Sequence, residues 1–304
     1  MPIKNVFACL VHEKPDVIWD MVCNLRYLDP ASCVLLYNNS GSAALLDDCR
    51  FRSDPHVLIY PETKRHPYPW SHGSMLNCMR WACRDRDLDT ITNVDSDQLL
   101  LRPGYTERLT QVFAQFPNFG MLQSSPVTLG WPADSATALI PLGFVGGLSG
   151  PAVINYPQFT ALNELQSWGP FLGKFDRGSG YRYSGLNHFP KWSFWPAVAF
   201  SRQAAQATLT LYDSDLYLRA LLGRTQIFAA EEVIFPTLLS LLGFDLVRTP
   251  FDEKYVRFQT IYSVDTLEES LQLPDCFWMH PVPRDMNDPV RMRLRQHYSN
   301  YQQD

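Results

Sequence analysis

The sequence has no run of about 18 apolar residues, the length a bilayer core asks of a helix, so no transmembrane span is expected. Its opening, MPIKNVFACLVHEKPD, holds an apolar stretch too short and too soon charged for a secretory signal. Among seven cysteines there is no CxxC pair, and Cys9, Cys23, Cys33, Cys78 and Cys83 stand mostly among apolar neighbours. That pattern argues for buried thiols in a reducing compartment rather than a disulfide framework. Positive charge is also scarce: the net charge of −5 excludes a general nucleic-acid binder, whose affinity comes from neutralising phosphates with Lys and Arg. No linker and no long repeat is visible. A cytoplasmic location is expected, with a trimmed lumenal domain as the alternative.

What the chain does have is length and apolar content. With 304 residues, 46% of them hydrophobic, it can bury a sizeable core, and one domain over 1–304 is expected. IKNVFACLVH reads as a buried strand and EKPDVIWDMVCNLRYL as a helix, with Val17, Ile18, Met21, Val22 and Leu25 at helical spacing. CVLLYNNSG and HVLIY follow as strands, then a Pro- and His-rich loop, then a helix in HGSMLNCMRWACRDRD, then the strand TITNV. This β-α-β order predicts an α/β fold with a nucleotide-binding half over 1–116. The acceptor and catalytic half, 117–304, opens with loops rich in Pro, Gly, Ser and aromatics. Regular structure resumes in VAFSRQAAQATLTLYDSDLYLRALLG and in the apolar helix EEVIFPTLLSLLGF, followed by a strand-like YVRFQTIYS.

The strand TITNV runs into Asp95-Ser96-Asp97. Ligands of open α/β sheets bind beyond the carboxyl ends of strands, so two carboxylates one residue apart there can hold a hard divalent cation against a diphosphate. The competing reading is an exposed turn that caps the helix starting near Arg102-Pro103-Gly104. Asp213-Ser214-Asp215 repeats the tripeptide, but the amphipathic LYLRALL after it marks a helix cap and a first-turn charge. Glu231 and Glu232 open an apolar helix, where the dipole favours them and where one could serve as a general base. His280, stiffened by the prolines of MHPVP, is either a structural histidine or a further metal ligand or diphosphate contact. Arg284 or Lys254 could face the leaving phosphates. Trp192, Phe194 and Trp195, with Tyr181 and Tyr183, are either core or a wall for sugar rings, with Trp192 and Trp195 the acceptor candidates. Arg284, Arg291, Arg293 and Arg295 make a basic tail, read as a solvated helix face or, less simply, as a peripheral contact with an anionic membrane carrying a lipid-linked saccharide.

The order of these segments resembles the core-2/I-branching β-N-acetylglucosaminyltransferase family and its xylosyltransferase relatives. FACLVHEKPDVIWDMV looks like that family's opening strand and helix, and PWSHGSMLNCMRWACRD is similar to its Trp-Gly-Gly then Ser-Leu-Val helix. WSFWPAVAFSRQ resembles its Gln-Trp then Leu-Ser-Arg segment, and AAEEVIFPTLL its Pro-Asp-Glu helix start. The resemblance implies a GT-A, Rossmann-like fold with a mixed sheet. It also implies a nucleotide pocket around Trp70, His72, Gly73 and Ser74, a catalytic base at Glu232, and Lys254 and His280 near the diphosphate. Core-2 members typically work without a metal, and where their strand ends in Ser-Gly-Gln-Asp this chain has Asn93-Val94-Asp95-Ser96-Asp97. The Asp-x-Asp and the late histidine therefore imply a metal-assisted variant, with Asp95, Asp97 and His280 holding Mn2+ or Mg2+ and the imidazole favouring Mn2+. The expected activity is transfer of a sugar from a nucleotide-diphosphate donor, UDP-GlcNAc or UDP-xylose for example, to a hydroxyl of a glycan acceptor, with inversion. The alternatives are a retaining transferase or nucleotidyltransferase on the same fold, and a glycan-binding relative without catalysis.

Overall fold

In a computed structural model of the chain, residues 4–66, 71–85, 88–124, 137–140, 152–176 and 185–302 are described. Strand β1, Asn5–Val11, is apolar on both faces, as a strand covered on both sides must be. Phe7, Cys9 and Val11 point into one core layer, while Val6 and Ala8 point into the other. Helix α1, Pro15–Leu28, starts on a proline and buries Val17, Ile18, Met21, Val22 and Leu25 along one stripe. Next come β2 (Cys33–Asn38), β3 (Val57–Ile59) and α2 (His72–Asp85), each within a segment read from the sequence, and β4 (Thr90–Asp95), which runs one residue past the expected TITNV.

β1 pairs in parallel with β2 on one side and β4 on the other. The chain thus travels outward through β2 and β3 and then returns across β1, making a topological switch between β1 and β4. In the register, Leu10 lies opposite Asp95. A crevice is expected beyond the carboxyl ends of such a pair.

The rest of the chain completes the sheet and closes one end of it. It runs β5 (Leu99–Leu100), α3 (Tyr105–Gln115), β6 (Phe119–Ser124), the antiparallel pair β7 (Thr137–Ile140) and β8 (Ala152–Asn155), then α4 (Tyr156–Asn163) and α5 (Leu165–Leu172). There follow β9 (Phe194–Ser201), α6 (Arg202–Ser214), α7 (Leu216–Leu222), α8 (Ala230–Leu241), β10 (Asp245–Arg248), α9 (Val264–Gln272), β11 (Trp278–Met279) and α10 (Pro289–His297). The main sheet has seven strands in the order β10-β6-β9-β4-β1-β2-β3. Only β9 is reversed, lying antiparallel to both β4 and β6. This is the mixed, Rossmann-like α/β architecture expected from the sequence, with α1 and α3 packed in one core layer and α2 and α6 in the other. Strands from both sides of residue 117 share the sheet.

Two expectations fail. YVRFQTIYS is not a strand: Val256 makes only an isolated bridge to His280, and Gln259 sits at φ 50°, a left-handed turn that breaks extended pairing. The basic tail is not a solvated face either. Arg291 is fully buried, its Nη1 2.6 Å from Asp20 Oδ2, and Arg293 Nε pairs with Glu268 Oε1 at 2.5 Å. Arg295 Nη2 donates to the Met286 carbonyl at 3.0 Å. The tail's charge is spent on binding α10 to α1 and α9. Among the described residues no helix is long and apolar enough to cross a membrane.

Candidate active site

β4 ends in a tight turn. Gln98 N donates to the Asp95 carbonyl at 2.9 Å, and Asp95 N donates back to Gln98 Oε1 at 3.3 Å, so a fully buried glutamine side chain closes the loop on itself. The chain then enters β5, whose fully buried leucines need a partner strand on each edge. Asn24 of α1 satisfies one edge: its Nδ2 donates to the Leu100 carbonyl and its Oδ1 accepts from Leu100 N, both at 2.9 Å. On the other edge β11 pairs antiparallel, with Leu99 opposite Met279. This short pairing carries His280 across 183 positions of sequence to the Asp95-Ser96-Asp97 turn, and Val282 N donates to the Asp97 carbonyl at 2.7 Å.

His280 is held in one orientation. Its Nδ1 lies 2.8 Å from the Arg257 carbonyl, which can only accept, so the ring presents Nε2 to Asp97 Oδ1 at 3.4 Å. Arg284 completes the group: Nη2 is 3.0 Å from Asp97 Oδ2, and Nε donates to Ser96 Oγ at 2.7 Å while lying 3.3 Å from Glu13 Oε1. Burial pushes the Asp95 carboxyl up, with the His280 and Arg284 charges opposing. Burial pushes Asp97 the same way, but His280 and Arg284 outweigh it and hold that carboxyl below its usual range. His280 is raised against its own burial by Asp97 and Asp95. His12, at the end of β1, is lowered by burial and by Arg284.

Whether these residues fit a cation can be tested on the protein atoms. One ligand atom from each of Asp95, Asp97 and His280 lies within 4.8 Å of the others. Asp97 Oδ1 is buried and meets only a long contact, His280 Nε2 at 3.4 Å, with no well-formed hydrogen bond among the described residues. A buried carboxylate oxygen without a donor is costly. Two carboxylates and an imidazole whose Nδ1–H is held by the Arg257 carbonyl are a donor set that suits Mn2+. The residues fit.

The group forms one wall of a cleft of about 430 Å3. The facing wall comes from β9 and α8, through Phe194, Trp195, Pro196, Phe228, Ala229, Glu231 and Glu232, with Phe258 also lining the cleft. The turn into α8 is strained: Ala229 sits at φ 46° and offers no side-chain cap, and Ala197 in β9 sits at φ 62°. A left-handed non-glycine residue costs about 1–2 kcal/mol, and such residues gather where a site needs an unusual chain path. Here the path sends two consecutive carboxylates toward the cleft. Glu232 is 5% exposed, and both its oxygens are engaged: Oε2 accepts from Trp192 Nε1 at 2.9 Å and Oε1 from Trp195 N at 3.2 Å. Glu231 accepts from the Ser71 hydroxyl at 2.5 Å through Oε2. Burial raises both, pushing Glu231 up to about 7, and Glu232 is driven well up by burial and by Glu231.

Of the residues singled out in the sequence, the cleft gathers Asp95, Asp97, His280, Arg284, Phe194, Trp195, Glu231 and Glu232. It does not include His72, Gly73 or Ser74 of the first turn of α2, although Ser71 just before them reaches Glu231. Trp192 is turned inward onto Glu232. Lys254 lies in a separate surface hollow with Arg248 and Arg257, 3.6 Å from Glu269. Trp70, Tyr181 and Tyr183 lie outside the described residues. Sequence reasoning missed Glu13, Ser96 and Phe258, of which Ser96 alone carried a signal, sitting between the two aspartates, while Ser71 fell inside the Trp70–Ser74 loop without being given a role. The second tripeptide does what its helix predicts in part: Asp215 caps α7 by accepting from Leu218 N at 3.0 Å, while Asp213 ends α6 and pairs with Arg80 at 2.6 Å.

No protein-family model matches the chain, and no curated protein does. Among solved structures it is similar to the mannosyltransferase PcManGT from Pyrobaculum calidifontis in complex with GDP-Man and Mn2+, at 11% identity and a TM-score of 0.42. The likeness covers 82% of this chain and 55% of that one. GDP-Man and Mn2+ are ligands of that protein.

Proposed function

We propose that the chain is a metal-assisted glycosyltransferase that moves a sugar from a nucleotide-diphosphate donor, a UDP-sugar such as UDP-GlcNAc or UDP-xylose, to a hydroxyl of a glycan acceptor with inversion. The observation that carries this reading is the pairing of Asp95, Asp97 and His280 on one wall of a cleft with the α8 carboxylates on the other. A divalent cation bound by those three side chains would offset the negative charge that grows on the diphosphate as it leaves. Asp95 sits at the switch between β1 and β4, the position that suits a nucleotide. Arg284 adds a guanidinium beside the cluster, and its hold on Asp97 and Ser96 keeps the turn in shape.

On the facing wall a carboxylate from the start of α8 takes the proton of the attacking hydroxyl; the family resemblance marks Glu232 for that role. Trp195 and Phe258 border the cleft with flat apolar faces of the kind that pack on sugar rings, and we assign the acceptor to their side. Nucleoside diphosphate release from a panel of UDP- and GDP-sugars, with and without Mn2+, tests the reading. Metal-dependent release of the nucleoside diphosphate is the expected result, and NMR of the product's anomeric centre then reads inversion. Release of pyrophosphate, or no binding or turnover of any donor, would contradict it.

A further inference from the structure

We propose that Glu231, not its neighbour Glu232, is the carboxylate that accepts the proton from the attacking hydroxyl, and that Glu232 is a positioning residue. The inference rests on the glycosyltransferase reading above. A general base must offer an open lone pair to the nucleophile. Glu232 is 5% exposed and tethered at both oxygens: the Trp192 indole and the Trp195 backbone N–H each hold one of them, and its own carbonyl accepts from Ser193 N at 2.9 Å. These three bonds tie the start of α8 to the segment that leads into β9. Glu232 therefore shapes the wall.

Glu231 differs in each respect. It is only half-buried, it lines the same cleft, and besides its own backbone N–H the Ser71 hydroxyl is the one donor to its side chain among the described residues, at Oε2, so no other residue tethers Oε1. Its carboxyl, pushed up to about 7 by burial, matches the pKa a base needs near neutral pH. The charged groups around it are Glu232 next in the chain and, across the cleft, Asp95, Asp97, His280 and Arg284. In the step, the acceptor O–H proton passes to Glu231 Oε1 as the oxygen bonds to the anomeric carbon. The bond from that carbon to the donor phosphate breaks, and its electron pair leaves on the diphosphate, on the side of Asp97, His280 and Arg284. Ser71 fixes the carboxylate so that Oε1 faces the nucleophile.

The test uses donor hydrolysis, with water as the acceptor and UDP- or GDP-sugars as probes, so the natural acceptor need not be known. Glu231→Gln should lower kcat by about 100-fold or more, leave nucleoside diphosphate binding intact, and abolish the acidic limb of the pH profile. Ser71→Ala removes a hydrogen bond that lowers the Glu231 pKa, so the limb should move to higher pH. A merely structural Glu231 would move neither limb. Trp192→Phe frees one oxygen of Glu232 and should leave the limb in place, with any loss appearing in stability. If Glu231→Gln kept both its kcat and its acidic limb while Trp192→Phe or Glu232→Gln shifted the limb, the base would be Glu232. If the wild-type protein bound and hydrolysed no donor, the glycosyltransferase reading itself would fall.

Discussion

The chain contains Asp-Ser-Asp twice, and the two copies do different work. Asp95 and Asp97 close a strand end, face a cleft and share it with a histidine and an arginine brought from far along the sequence. Asp213 and Asp215 flank the junction of two helices: Asp213, in the last turn of α6, pairs with Arg80, and Asp215 caps α7 and holds Lys174 at 2.6 Å. In the second copy each carboxylate already has strong donors. In the first, a buried oxygen of Asp97 has none. A tripeptide is thus no site by itself: the surroundings decide whether its charge is consumed locally or kept for a ligand.

The sharpest break in this comparison would come from Asp97→Asn. It should weaken Mn2+-dependent nucleoside diphosphate binding by roughly 100-fold, read by titration calorimetry, whereas Asp215→Asn should leave that binding unchanged. The same contrast extends to α8, where a carboxylate buried with few donors should cost stability. The folded-state pKa of Glu231 lies near 7, above its ordinary 4.5, so the stability it lends at low pH is lost as pH rises through that window. Glu231→Gln removes the loss. It should be more stable than wild type by about 2 kcal/mol at pH 8, with the gap closing at pH 4.5, measured by urea denaturation. Asp215→Ala should show the opposite kind of effect, a loss of about 1 kcal/mol at pH 7 from the missing cap. Asp213→Asn, which breaks an exposed ion pair, should cost no more than about 0.5 kcal/mol.

The first half of the fold was legible because periodicity is a local signal. The two-faced strand VFACLV, the Val17–Leu25 stripe and TITNV each record their own burial. Asp95 and Asp97 were legible for the same reason, as polar residues ending an apolar strand. Less could be read where an outcome depends on residues far apart. YVRFQTIYS alternates like a strand, yet no edge is offered to it, and Tyr255 and Arg257 spend their backbone groups on His280 instead. The arginines of α10 read as solvated because Asp20 and Glu268, which claim them, lie 271 and 25 residues away. Lys254 and Arg284 were equal candidates for the phosphates until the β5–β11 pairing placed only Arg284 at the cleft. Adjacent glutamates at a helix start posed the finest problem. Which of them keeps a free oxygen depends on the path of β9, and nothing in AAEEVIF states it.

The central claim, that Asp95-Ser96-Asp97 and His280 hold a cation for a nucleotide-diphosphate donor, is tested most directly by thermal unfolding with UDP or GDP, with Mn2+, and with both. A ligand bound only by the folded state raises Tm by mass action. The account predicts that nucleotide and Mn2+ together raise Tm by more than the sum of their separate shifts, and that Asp97→Asn abolishes the excess. A nucleotide shift equally large in EDTA, or an excess that survives Asp97→Asn, would contradict it.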